Sequence, residues 1–149
     1  MAMQTRSDIK NFPFVLSGAV LSKTLTVKQN AGRVGALVFG TLVAIVAATG
    51  KVVPFTDETA TDGSALPVGF YVGDDIPAAS IVAGDVTDCP VLIGGAAATI
   101  DAQQVVIENS KTLNTVIGAT TIHAARVEEF LARRGLFVEQ TIDIAGLET

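Results

Sequence analysis

Between Arg33 and Lys51 the chain reads Val34-Gly35-Ala36-Leu37-Val38-Phe39-Gly40-Thr41-Leu42-Val43-Ala44-Ile45-Val46-Ala47-Ala48-Thr49-Gly50, without one charged side chain. A run of seventeen residues sits at the lower limit for a helix that spans a membrane. Gly35, Gly40 and Gly50, with Thr41 and Thr49, argue against that helix. Val34, Val38, Val43, Ile45 and Val46 are β-branched, stiff at χ1 and suited to a pleated sheet. The stretch therefore reads as extended chain, with strands at 42–47 and 51–55 joined by a Thr49-Gly50 turn.

Upstream, Leu21, Leu25 and Val27 alternate with Ser22, Thr24, Thr26 and Lys28, the period of a half-buried strand, and Asn30-Ala31-Gly32 turns the chain. Downstream, residues 56–65 form a polar loop, and 66–72 a strand entered through Pro67 and interrupted by Gly69. Turn chemistry at Gly73-Asp74-Asp75 and Gly84-Asp85 flanks a short segment at 79–83. Further short strands are expected at 90–93, 98–100, 105–108 and 113–117. One helix is expected, capped by Thr120 or Thr121, with Arg133 and Arg134 in its last turn and Gly135 as its stop. Val127, Phe130 and Leu131 form its apolar stripe, and a last strand covers 136–144. Many short strands punctuated by Gly and Asp indicate a mainly β (α+β) fold with one C-terminal helix, not βαβ units.

Residues 1–11 are polar and mixed in charge, too poor in apolar groups to order alone, and read as a flexible arm. Phe12-Pro13-Phe14 follows as a stiff extended anchor. The expected division is an N-terminal arm and extension at 1–29 and a β-rich domain at 30–149.

The 149 residues suit one core. Hydrophobic residues at 49% and charged residues at 17% exclude disorder of the whole chain. A formal net charge of -5 opposes a nucleic-acid binder, which needs a basic face to displace counterions. The lone Cys89 excludes an internal disulfide framework and a multi-cysteine zinc site. Asp8 interrupts the basic pair Arg6 and Lys10, and no cleavage site follows cleanly, so no signal peptide is expected. The expectation is a soluble protein made in the cytoplasm.

Candidate chemistry is sparse. Cys89 and His123 could form a nucleophile and base, but the pair lacks an orienting group and an oxyanion donor. Cys89 before Pro90 reads as a small buried apolar group, and His123 as a solvated or capping residue. Asp57, Glu58 and Asp62 share one loop, and Asp74-Asp75 and Asp85-Asp88 lie in others, without the alternation of a calcium loop. Gly35 and Gly40 have phosphate-loop spacing, but Thr41 stands where a lysine is required. Gly94-Gly95 lacks a third glycine at dinucleotide spacing. No catalytic, cofactor-binding or metal-ligating residue is expected.

Lys51-Val52-Val53-Pro54-Phe55, then Thr61-Asp62-Gly63-Ser64, then Pro67-Val68-Gly69-Phe70-Tyr71-Val72 place a strand, a Thr-Asp-Gly loop and a Val-Gly strand in order. This pattern, over residues 36–142, resembles the head decoration proteins of tailed bacteriophages, the lambda protein D type. The chain differs from that type in its longer N-terminal region, which carries a strand of its own.

The resemblance implies a β-clip-like fold of bent ribbons forming an incomplete small barrel. It implies a homotrimer on the outside of the expanded capsid at threefold and quasi-threefold points, bound to the major coat protein and bracing the head against packaged DNA. It also implies an arm that is mobile in the free protein and orders on the shell. Thr5, Asp8, Ile9, Phe12 and Phe14 would then add to a coat-protein edge, with Ile9, Phe12 and Phe14 filling pockets. Phe12 and Phe14 could instead cap the molecule's own core. Phe70, Tyr71 and Phe137 are candidates for the trimer contact, or for the core. Two other readings stay open: a tail-tube or spike subunit, and a small-molecule-binding β-barrel or hydrolase using Cys89 and His123.

Overall fold

A computed structural model of the chain describes residues 13–118 and 124–139. The hairpin forms as expected, from β3 (Leu42–Val46) at the end of the charge-free run and β4 (Lys51–Pro54) just after it, paired antiparallel from Val43 opposite Pro54 to Val46 opposite Lys51. Gly50 closes the turn at φ +67°, donating its N–H to the Val46 carbonyl at 2.8 Å, a left-handed conformation that glycine adopts without steric penalty. Leu42, Val43, Ala44 and Val46 are all buried. That is why β3 shows no polar alternation: both of its faces are covered.

Three more strands complete the barrel: β2 (Val20–Val27), β5 (Pro67–Tyr71) and β6 (Val86–Gly95). The order is β2-β4-β3-β5-β6, and β6 returns to β2, so the barrel is closed where an incomplete one was implied. The seam between β2 and β4 is narrow. It consists of Val27 opposite Val52, with the Lys28 N–H donated to the Val52 carbonyl at 2.9 Å. A boundary at residue 29 therefore does not divide the molecule, because β2 is a barrel wall. Half-burial of that strand holds only at its C-terminal end; Leu21 is 61% exposed.

A second sheet lies outside the barrel, in the order β1-β7-β10, from β1 (Val15–Ser17), β7 (Ala98–Asp101) and β10 (Leu136–Glu139). β1 runs antiparallel to β7, and β10 parallel to it. A parallel neighbour needs a long crossover, and the stretch between β7 and β10 supplies one. It contains a 3-10 turn (Ala102–Gln104), the two-residue strands β8 (Val116–Ile117) and β9 (Ala125–Arg126), and a helix at Val127–Arg133. The short segment after Asp75 is itself helical, α1 (Ala78–Ala83), and the C-terminal helix is α2.

Two apolar clusters form the core. Val27, Leu37, Val43, Val52, Tyr71 and Val91 join α1 through Ile81. Phe14, Leu42, Phe55, Phe70, Ile100 and Leu131 lie between the barrel, the second sheet and α2.

Three expected elements differ. At 105–108 there is no strand: the Val105 N–H bonds the Ala102 carbonyl at 3.3 Å, and only Val106 bridges to Thr41. At 113–117 only Val116–Ile117 is extended, because the Thr112 N–H turns onto the Thr115 hydroxyl at 2.9 Å. The helix starts at Val127, since Ala125–Arg126 pairs with Val116–Ile117; Thr120 and Thr121 lie outside the described residues. Its stop is as expected: Gly135 has φ +77° and donates to the Ala132 carbonyl at 2.9 Å. No helix among the described residues is long and apolar enough to cross a membrane.

Candidate functional site

The Thr61-Asp62-Gly63 loop is built against the β3–β4 turn. The Asp62 carboxylate accepts the Ser64 N–H at 3.0 Å and also the Ser64 hydroxyl, while the Asp62 carbonyl accepts the Ala47 N–H at 2.8 Å. Bonding to Ser64 holds the Asp62 pKa below its ordinary value. Gly63 sits at φ +98° with Ala47 beside it. On β5, a Cβ at Gly69 would overlap the Leu92 carbonyl on β6. Pro67 is buried and Val68 half-buried at the start of the same strand.

The other carboxylates of that region are equally engaged. Asp57 accepts from the Thr59 N–H at 2.8 Å, Glu58 pairs with Lys111 at 2.7 Å, and Asp85 pairs with Lys51 at 2.5 Å. Each has its pKa lowered, chiefly by the side chain that bonds it. Arg33 forks onto Glu108, with Nη2 at 2.8 Å from Oε2, and also bonds the Gly35 and Ala36 carbonyls at 3.0 Å. This ties the loop before β3 to the loop after β7. Among the described residues no group of three or more His, Cys, Asp or Glu side chains could hold a metal ion.

Cys89 is buried, and its thiol faces the Val86 carbonyl at 3.3 Å. Desolvation raises its pKa, the opposite of what an activated nucleophile requires. His123 lies outside the described residues, so their pairing is not on view.

Of the five arm candidates, Thr5, Asp8, Ile9 and Phe12 lie outside the described residues. Phe14 does not stand free for a partner. It is 7% exposed, with its ring edge-on to Phe70 at 5.4 Å and to Phe39 at 5.1 Å. Phe70 and Tyr71 also belong to the core, at 0% and 3% exposed, so neither ring can carry a subunit contact. Alternation on β5 gave no hint of this, because both faces of that strand are covered. Phe137 does reach the surface, on β10 beside Glu128, Glu129 and Ala132 of α2.

Three of the concave surfaces among the described residues lie beside exposed apolar groups. The depression at Phe137 holds about 260 Å³. A second, about 590 Å³, is walled by Leu66, Val116 and Ile117. The third, also about 590 Å³, runs between α1 and the start of β6, with Phe39, Ile76 and Pro77 in its walls and Asp74, Asp75 and Asp88 along it. The Tyr71 hydroxyl closes its floor by donating to the Asp74 carbonyl. None of those three carboxylates forms an ion pair with a described residue. In the sequence Asp74-Asp75 and Asp88 are loop carboxylates without the alternation of a calcium loop. The doubled aspartate was the available signal, but their convergence with Phe39 depends on the Leu37–Ile76 bridge, two N–H···O bonds of 2.9 Å.

No family model matches the chain, and no curated protein matches it significantly.

Proposed function

We propose that this protein is a structural subunit of a phage virion. It binds the outer surface of the expanded capsid as trimers at threefold and quasi-threefold positions, braces the head against packaged DNA and catalyses no reaction. The observation that carries this reading is the ordered motif of strand, Thr-Asp-Gly loop and Val-Gly strand. Its two glycines stand at close backbone approaches: Gly63 at a left-handed turn against Ala47, and Gly69 against the Leu92 carbonyl. An acidic chain suits an outer face away from DNA. The engaged carboxylates and the buried thiol support a role in adhesion, not turnover.

Binding only the expanded shell would stabilise that state by mass action. Three arms on one trimer would raise the effective concentration at the second and third contacts. The arm, residues 1–12, is tested by deleting those residues alone, because Phe14 belongs to the core. The shortened protein is expected to keep its fold and trimeric mass in sedimentation. It is expected to lose cosedimentation with undecorated expanded heads built from the coat protein of its own phage. Undiminished binding would remove the arm from the mechanism, and a monomeric full chain that ignores the heads would remove the reading itself.

A further inference from the structure

β1 and β2 pair along one line with β7 and β6, from Val15 opposite Ile100 to Val27 opposite Val86, so the four strands make a single antiparallel ribbon. β10 adds to the β7 side of that ribbon. On the other side, the outer edge of β2 meets a strand only where Val27 faces Val52. From Val20 to Thr24 every residue is exposed, so neither face of this stretch is covered. Alternate N–H and C=O groups there point away from β6, and no described strand takes them up before Val27. β10 likewise has β7 on one side and no described strand on the other. The molecule thus carries two open strand edges that face opposite ways.

These edges also differ in charge. Residues 15–28 hold Lys23 and Lys28 and no acid, and neither lysine forms an ion pair with a described residue. Beside β10, Glu128, Glu129 and Glu139 surround Phe137. Arg126 pairs with Glu128 at 3.2 Å and with Glu129 at 3.1 Å, which leaves Glu139 without a described cation. Arg133 is taken up by the Phe130 ring and Arg134 by the Ile93 carbonyl. Each edge shows one large apolar group, Leu21 or Phe137. Two copies of a chain with net charge -5 repel over most of their surface, and a basic edge against an acidic one is where they attract.

We propose that the outer edge of β2 pairs with the outer edge of β10 of a second copy, with Leu21 and Lys23 of the one and Phe137 and Glu139 of the other clustered on one face of the joined strands. This deepens the trimer reading above and rests on it for the number of copies. Pairing β2 with a second β2 would set Lys23 against Lys23. Joining unlike edges is head to tail, and a head-to-tail contact can close into a ring of three. Backbone bonds along the added strand supply affinity, and the side chains fix its register.

Sedimentation of the full-length chain over a series of concentrations tests the contact. Lys23→Glu and Glu139→Lys should each raise the concentration of half-dissociation about tenfold, and the two together in one chain should bring it back to within about threefold of the natural value. Both side chains are exposed, so urea midpoints should stay unchanged and report an intact fold. Glu139→Lys is the more telling of the two. It lowers the overall repulsion between acidic copies, so only a specific contact makes it weaken association. A trimer equally stable in both single variants overturns the edge contact and leaves the trimer reading standing. Failure of the combined variant to recover overturns the contact too, as does a natural chain that stops at dimers. Open filaments that either reversal dissolves keep the contact and count against the closed trimer. A natural chain that stays monomeric overturns contact and trimer together, and binding to expanded heads then judges the capsid reading separately.

Discussion

Phe14 illustrates how one side chain changes role between sequence and structure. Next to Pro13 it reads as an extended anchor, and as such it could fill a partner's pocket. In the fold its ring is clasped edge-on by Phe39 and Phe70, inside the cluster that joins barrel to second sheet. Phe14→Ala should therefore destabilise the isolated protein by about 3–5 kcal/mol, read as a lower denaturant midpoint in chemical unfolding. A ring reserved for a partner would leave that midpoint unchanged. Gly69 makes the complementary case, since any Cβ there meets the Leu92 carbonyl. Gly69→Ala should cost about 2–3 kcal/mol in the same measurement, although alanine has the higher β-propensity of the two in an open strand. The importance of Gly69 is visible in the motif, but its reason lies on another strand.

At the scale of elements, the loops are held by carboxylates whose pKa values the fold depresses. Asp57 is bonded by Thr59, Glu58 by Lys111, Asp62 by Ser64 and Asp85 by Lys51. A depressed native pKa contributes stability above the unfolded value and loses it as pH falls through the native one. Stability should thus be flat above about pH 5 and decline below about pH 4, as the loops around β4 and β5 lose these bonds. Urea unfolding at stepped pH checks this, and a decline that starts near neutrality would point to other groups. β2 offers a sharper test. A chain starting at residue 30 removes the strand that pairs with β6 along its length and with β4 at Val27. It should fail to give a cooperative unfolding transition, whereas removal of residues 1–12 should not.

For the whole molecule, the consequence of the topology is which surfaces are left to offer. Closing the barrel consumes the apolar faces of β3, β4 and β5, and the crossover through α2 covers one side of the second sheet. Among the described residues, the apolar groups left outside include the ribbon end at Leu21, Val34, the Leu66–Val116 depression, Phe137 on β10 and the groove at Phe39. The proposed trimer would draw its contact from exposed groups such as these and not from the buried Phe70 or Tyr71. Single substitutions Leu21→Asp and Phe137→Asp, followed by mass in sedimentation, are expected to leave the fold intact, and one of them should lower the mass to that of a monomer.

Residues 33–55 spelled out their own hairpin, Gly135 its helix stop, and the spacing of short apolar runs a mainly β chain. All of these follow from interactions within a few residues, where side-chain branching, period and turn chemistry act directly. Closure of the barrel by β2, the parallel seat of β10 beside β7 and the meeting of Asp74, Asp75 and Asp88 with Phe39 were not legible in that way. Each joins segments far apart in the chain, and such contacts are selected by the summed packing of the whole core, to which no short stretch of residues holds the key.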